Sequence, residues 1–275
     1  MIIRIPNLNP FRKKVYGYKR DHLILMGADG QVSDWHEKDK AVSELFKVAA
    51  PKATGDVDLR EFCTDTNQYQ LSACAGNATA DSYEVLNAIE GRPRVELSRL
   101  FVYSMARILN GDLDKDEGTH IRSTFEAGSK FGICEETFWP YQTSKVFTSP
   151  SLMAQRRARG HKLHSYYRIK SSGAARVEDA IKALRAHKPI VFGTLIDDSF
   201  SKSKTDPVSI PKGKTIGGHA MIVVGYQGGN FIVKNSWGKR WGADGFWYMT
   251  PEYFAWKNTW DIWVPTLGSE FKVAA

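Results

Sequence analysis

The chain has 275 residues, 42% hydrophobic and 12% aromatic, with a formal net charge of +8 and an isoelectric point near 9.3. That size and apolar content support one large core or two lobes sharing a cleft, and they exclude a globally disordered chain. With no uninterrupted apolar run of about 18 residues, a membrane-spanning helix is not expected.

The opening Met1-Ile-Ile-Arg-Ile-Pro6 is too short and too soon broken for a secretory signal, so a cytoplasmic or particle-associated protein is expected. Residues 1–55 read as an N-terminal extension punctuated by Pro6, Pro10, Gly27 and Gly30. Within it a helix is predicted over 34–49. Asp34 and Glu37 have capping-box spacing, Trp35, Val42, Leu45, Phe46 and Ala49 fall near one face, and Pro51 ends the run. The basic patch Arg12-Lys13-Lys14 gives this leader a charge suited to a docking partner. A second patch runs from Arg156-Arg157 to Lys162, and neither lies beside a specific nucleic-acid motif or phosphate loop.

From 74 to about 140 the pattern is helical. Ala75, Ala78, Val85 and Leu86 mark one helix, and Leu97, Leu100, Phe101, Met105, Ile108 and Leu109 mark another that Asn110-Gly111 stops. After residue 160 one further helix (Val177, Ala180, Ile181, Leu184) is followed by short β-type runs: Ile190–Phe192, Ala220–Val224, Phe231–Val233 and Phe246–Met249. Gln227-Gly-Gly-Asn230 is placed as a hairpin turn between two of these runs. A helical first half and a β-rich second half result.

Cys63, Cys74 and Cys134 are too few for a disulfide framework and lack zinc-site spacing, so no metal or cofactor is implied. Cys74 opens a predicted helix of small residues, where the positive end of the helix dipole favours a thiolate. Taken alone, it would read as a buried structural thiol. Gly217-Gly218-His219-Ala220 enters an apolar strand, the two glycines leaving room for a substrate backbone. Lys234-Asn235-Ser236-Trp237-Gly238 follows, then Trp241-Gly242 and Gly245-Phe246-Trp247-Tyr248.

Together these motifs resemble the papain-like cysteine peptidases (C1 type). Gln68 stands six residues before Cys74, His219 heads a Gly-His-Ala strand, and Asn-Ser-Trp-Gly completes the set in the family's order. The similarity also touches Val57-Asp-Leu-Arg60, Phe131-Gly-Ile-Cys134, Trp139-Pro-Tyr141 and Ser165–Ile169. It covers about residues 56–265 and looks nearest to short-leader microbial or viral members.

The resemblance implies an α+β, two-lobed fold: a helical left lobe, an antiparallel β-barrel-like right lobe, and an active-site cleft between them. It implies a 1–55 leader, a 56–265 peptidase domain and a 266–275 tail. By the same resemblance Cys74 is the nucleophile, His219 its proton partner, and Asn235 the group orienting the imidazole. Gln68 and the Cys74 backbone N–H form an oxyanion hole for a peptide or protein substrate. Gly118, Gly218, Ala220 and Trp237 are the candidate substrate-side residues, and Trp237 also shields the His219–Asn235 pair. Cys63 and Cys134 read as reduced thiols, with a bridge between them conceivable.

Three departures stand out. Tyr69 takes a position usually held by glycine, Ala75-Gly76 replaces a tryptophan common in animal and plant members, and the leader is too short for a long helical inhibitory pro-region. Ser43-Glu-Leu-Phe-Lys-Val-Ala-Ala50 is nearly repeated as Ser269-Glu-Phe-Lys-Val-Ala-Ala275, so a cut after Ala50 is one processing hypothesis, although Pro51 argues against it. Competing readings are a Cys-dependent acyltransferase, disfavoured by Asn235, and a structural or binding component of a larger assembly.

Overall fold

In the computed structural model, residues 25–26, 32–33, 39–48, 55–200 and 207–267 are described. Two short strands, β1 (Leu25–Met26) and β2 (Val32–Ser33), pair antiparallel; α1 spans Val42–Val48 and β3 Val57–Asp58. The helix predicted over 34–49 is described only from Val42, and its Asp34, Trp35, Glu37 and Ala49 positions lie outside the described residues. The backbone N–H of Ala41 donates to Glu44 Oε1 at 2.9 Å, a reach-back bond typical of a helix start. Val42 and Leu45 are buried against the body, so this part of the extension is packed.

The first lobe is built on α2 (Cys74–Ile89), whose first 14 residues are all buried. Its small residues make that possible: a Cβ on Gly76 would lie 2.8 Å from the Cβ of Tyr103, so only glycine lets the next helix this close. That neighbour, α3 (Arg99–Asn110), starts where Ser98 Oγ accepts from the Phe101 N–H at 3.1 Å. It stops at Gly111, whose φ of 76° is the left-handed conformation glycine adopts without strain. The helices α4 (Ile121–Lys130) and α5 (Leu152–Ala158) complete the lobe.

The second lobe contains β4 (Ser165–Arg168), α6 (Gly173–Arg185), β5 (Ile190–Asp197), β6 (Thr215–Gln227), β7 (Asn230–Lys234), β8 (Phe246–Met249), α7 (Pro251–Ala255) and β9 (Thr259–Thr266). Its strands form one antiparallel seven-stranded sheet in the order β4-β9-β5-β6-β7-β8, with β3 also on β6. The sheet does not close on itself among the described residues, which corrects the barrel-like expectation; the α+β, two-lobed class stands. The predicted hairpin is present: Gln227 pairs with Asn230, and Gly228 and Gly229 both have positive φ (55° and 81°), the geometry whose twist matches its strands. Two apolar clusters follow the lobes, one around α2, α3 and α4, the other around the sheet and α6. No helix among the described residues is long and apolar enough to cross a membrane.

Candidate active site

Cys74 is the first residue of α2 and fully buried. Its helix start carries no acidic residue in the first turn, although the Asp116 carboxylate from a neighbouring loop accepts from the Ser72 N–H just before it. The other two cysteines sit differently. Burial pushes the Cys63 thiol up to about 12, and its Sγ donates to the Leu59 carbonyl at 3.6 Å. Burial, with Glu135 and Glu136 nearby, raises Cys134 likewise to about 12. Both are free thiols, so the bridge conceivable from the sequence is not formed.

His219 lies in β6 opposite Thr194 of β5, with no exposed surface. Its Nε2 is 2.8 Å from Asn235 Oδ1. That same oxygen accepts from the Ser236 N–H at 2.8 Å. A backbone N–H requires an acceptor, so the asparagine presents oxygen there and the histidine Nε2 must carry the hydrogen. Asn235 itself is fixed just beyond β7 by a bond from its N–H to Gly245 O at 2.9 Å. Trp237 stacks on the imidazole at 5.0 Å and an interplanar angle of 29°, with Phe200 at the ring's edge.

Gln68 is held to the same frame. Its N–H donates to Ser236 O at 2.8 Å, its Oε1 accepts from Ser236 Oγ at 2.6 Å, and one N–H of its Nε2 donates to Leu71 O at 2.9 Å. The Tyr141 hydroxyl donates to Gln68 O at 3.1 Å. Gly238 N–H donates to Thr66 O and Asn67 bridges to Trp237, so residues 66–68 run beside 236–238 and stitch the lobes at the site. Ser236 lies within the Asn-Ser-Trp-Gly motif, whose spacing assigns it no role of its own. It touches both the asparagine and the glutamine.

Tyr69, at the departure from glycine, has a φ of 49°, with its N–H donating to Asn67 Oδ1 at 2.8 Å. The side-chain turn from Asn67 supports a left-handed conformation that a tyrosine adopts only under such support. A cavity of about 820 Å³ opens here, walled by Tyr69, Tyr141 and Trp237 with neutral amides and hydroxyls from Asn67, Gln70 and Gln142 through Ser144.

The remaining sequence candidates are placed as follows. Ala220 pairs with Gly193 and belongs to the same apolar cluster as Cys74. Gly218 pairs with Leu195 in the same strand. Gly118, buried with φ 87°, lies in a loop tied to the approach to Cys74: Asp116 accepts from the Ser72 N–H at 3.1 Å and from the Tyr103 hydroxyl at 2.7 Å. The structure thus gathers Gln68, His219, Asn235 and Trp237 through Ser236. It sets Cys74 six residues after Gln68, in the cluster that holds the residue following His219.

Beneath this frame lies a buried group of charges that the sequence reading did not find. Lys234, which precedes Asn235, bonds Asp81 of α2 and Thr66 Oγ1 (2.6 Å); Arg99 bonds Asp81 (3.1 Å) and Glu84 (3.0 Å). All four charged side chains are 5% exposed or less. Two cations and two carboxylates give no net charge, so burial is compensated within the cluster.

Residues 54–261 match the model of the papain family of cysteine proteases. A peptidase C1-like protein of Acanthamoeba polyphaga mimivirus is 34% identical over 249 residues, 82% of this chain and 80% of that protein. Among solved structures, xylellain, a cysteine protease from Xylella fastidiosa, is similar at a TM-score of 0.77 and 26% identity, covering 94% of this chain and 97% of its own. Bromelain from Ananas comosus, in complex with the E64 inhibitor, is similar in fold at a TM-score of 0.63 and 22% identity, over 78% of this chain and all of its own.

Proposed function

That the chain belongs to the papain family of cysteine proteases is the premise from which we propose a specific activity: a cysteine endopeptidase working through Cys74, His219 and Asn235. The observation that carries the proposal is the 2.8 Å bond between His219 Nε2 and Asn235 Oδ1, set in a frame that Ser236 shares with Gln68.

With Nε2 committed to Asn235, the proton exchanged with sulfur runs through Nδ1. The Cys74 thiolate attacks the scissile carbonyl carbon, and the carbonyl oxygen takes up the negative charge. The Cys74 backbone N–H and the second hydrogen of Gln68 Nε2 receive that oxygen; its first hydrogen is held by Leu71 O. The imidazolium then gives its proton to the leaving nitrogen as the C–N bond breaks, leaving a thioester on Cys74 and a free amine. Water, deprotonated by His219, attacks the thioester, releasing the acid and regenerating the thiol pair. Asn235 fixes the ring without titrating, and Trp237 keeps water from the bond between them. Gly118, Gly218 and Ala220 would contact the substrate on the acyl side, while Trp237 faces the leaving-group side with Tyr69.

The test is hydrolysis of internally quenched peptides by the purified chain and its variants. Cys74→Ala and His219→Ala should abolish turnover, whereas Cys63→Ser should keep it. Turnover that survives in Cys74→Ala would sink the proposal.

A further inference from the structure

Asp39 lies outside the span matched by the family, yet its side chain is only 4% exposed. Its carboxylate meets guanidiniums from both lobes. Arg122 of α4 reaches it with both terminal nitrogens, Nη2 to Oδ2 at 2.7 Å, and Arg168 of β4 lies 3.6 Å from Oδ2. Each guanidinium also lies 4.9 Å from the ring centroid of Trp263 in β9, and Arg168 is paired with Asp261 at 2.8 Å. This is a cationic cradle across the seam of the lobes, and Asp39 supplies its second carboxylate.

The main chain joins in. The Arg168 N–H donates to Lys40 O at 2.7 Å, Ala41 bridges to Arg168 in parallel, and Lys170 Nζ donates to Asp39 O at 2.6 Å. The segment therefore adds a rung to the edge strand β4. Val42 and Leu45, each 3% exposed, then enter the core of the sheet lobe. An ion pair, strand-edge hydrogen bonds and apolar burial all hold residues 39–45, and none of them depends on the covalent link that continues to Gly55.

We propose that residues 39–48 are a docked clasp that stays on the body when a peptide bond between Val48 and Gly55 is hydrolysed. Water adds across that bond to give a carboxylate on one piece and an ammonium on the other, and the product is a two-chain protein instead of a body freed of its leader. A cut after Ala50, the position marked by the repeated Phe-Lys-Val-Ala-Ala, falls in this interval and leaves the clasp in place. The inference does not depend on the endopeptidase reading.

The experiment uses the full chain with Cys74→Ala, so that it cannot cut itself, and with residues 50–53 replaced by the recognition sequence of a site-specific peptidase. The folded protein is cut and examined by native mass spectrometry at micromolar concentration. The N-terminal piece is expected to remain bound one to one. Asp39→Ala and Leu45→Asp, folded before cutting, should each lower the ratio of bound to released piece by at least about 100-fold, the scale for stranding one partner of a buried ion pair. Asp39→Asn, which keeps the shape and removes the charge, gives the same reading should Asp39→Ala not fold. Release from the cut parent overturns the proposal. So does equal retention in parent, Asp39→Asn and Leu45→Asp, because the attachment would then lie elsewhere.

Discussion

Replacing Lys234 with methionine keeps the apolar stem and deletes the ammonium that bonds Asp81 and Thr66. The buried cluster then holds two carboxylates, Asp81 and Glu84, against Arg99 alone. Removing one partner of a buried pair costs about 3–5 kcal/mol. Arg99 stays bonded to Asp81, so the lower end, about 3 kcal/mol, is expected. For a chain of this length 1 kcal/mol moves Tm by roughly 2–3 °C, which predicts a fall of about 6–9 °C in a calorimetric scan. Asp81→Asn should cost a similar amount, and the double variant should cost less than the two added together, because each single change strands the other's partner. Lys234 connects the end of β7, next to Asn235, to the helix beginning at Cys74, so peptide turnover should fall in the same variants. A Tm within about 2 °C of wild type for Lys234→Met, or additive costs in the double variant, would refute the cluster's role in joining the lobes.

Ser236→Ala removes the bond to Gln68 Oε1 while keeping the backbone bond to Asn235. It should lower kcat by about 10-fold or more with little change in KM, as expected when an oxyanion donor is left less well aimed. Glu136 is pushed up to about 7, chiefly by burial, and its Oε2 has no hydrogen-bond partner. Its native state holds a proton that the unfolded chain releases near 4.5, so this residue's contribution to stability falls as pH rises from about 4.5 to 7. Glu136→Gln should remove that decline in urea melts taken across the window, and an unchanged slope would contradict the assignment. Cys63 and Cys134, both raised to about 12, should stay unalkylated by iodoacetamide at pH 7.5 in the folded protein, as read by peptide mass mapping.

Much of the fold was legible because it rests on local signals. The α3 heptad-like spacing and its Gly111 stop, the Gly228-Gly229 hairpin, and the apolar runs of β5 to β8 each carry their own pattern. The strand β9 escaped, since Thr259–Thr266 is buried on both faces and shows no alternation, and Pro265 within it reads as a breaker. The open sheet in place of a barrel was also hidden, because closure depends on which edges meet and not on any one strand.

At the site, Gln68, Cys74, His219 and Asn235 stood out by motif. The residues that hold them did not. Ser236 joins two of them through bonds of opposite kinds, one from its backbone and one from its hydroxyl, and sequence spacing does not encode such a contact. Asp81, Glu84, Arg99 and Lys234 looked like ordinary charges on surface helices and strands until the fold buried them together. Asp39 falls in the 1–55 extension, and its neighbours come from α4 and β4, more than 80 residues away in the chain, a pairing that no local pattern encodes.

The most direct measurement is the site of covalent capture by a thiol-directed epoxide peptide mimic. Intact protein treated at neutral pH and mapped by mass should carry one adduct, on Cys74, and His219→Ala should form it far more slowly. Adducts spread evenly over Cys63, Cys74 and Cys134, or a rate that the loss of the imidazole leaves untouched, would contradict a sulfur and a histidine acting together across the cleft.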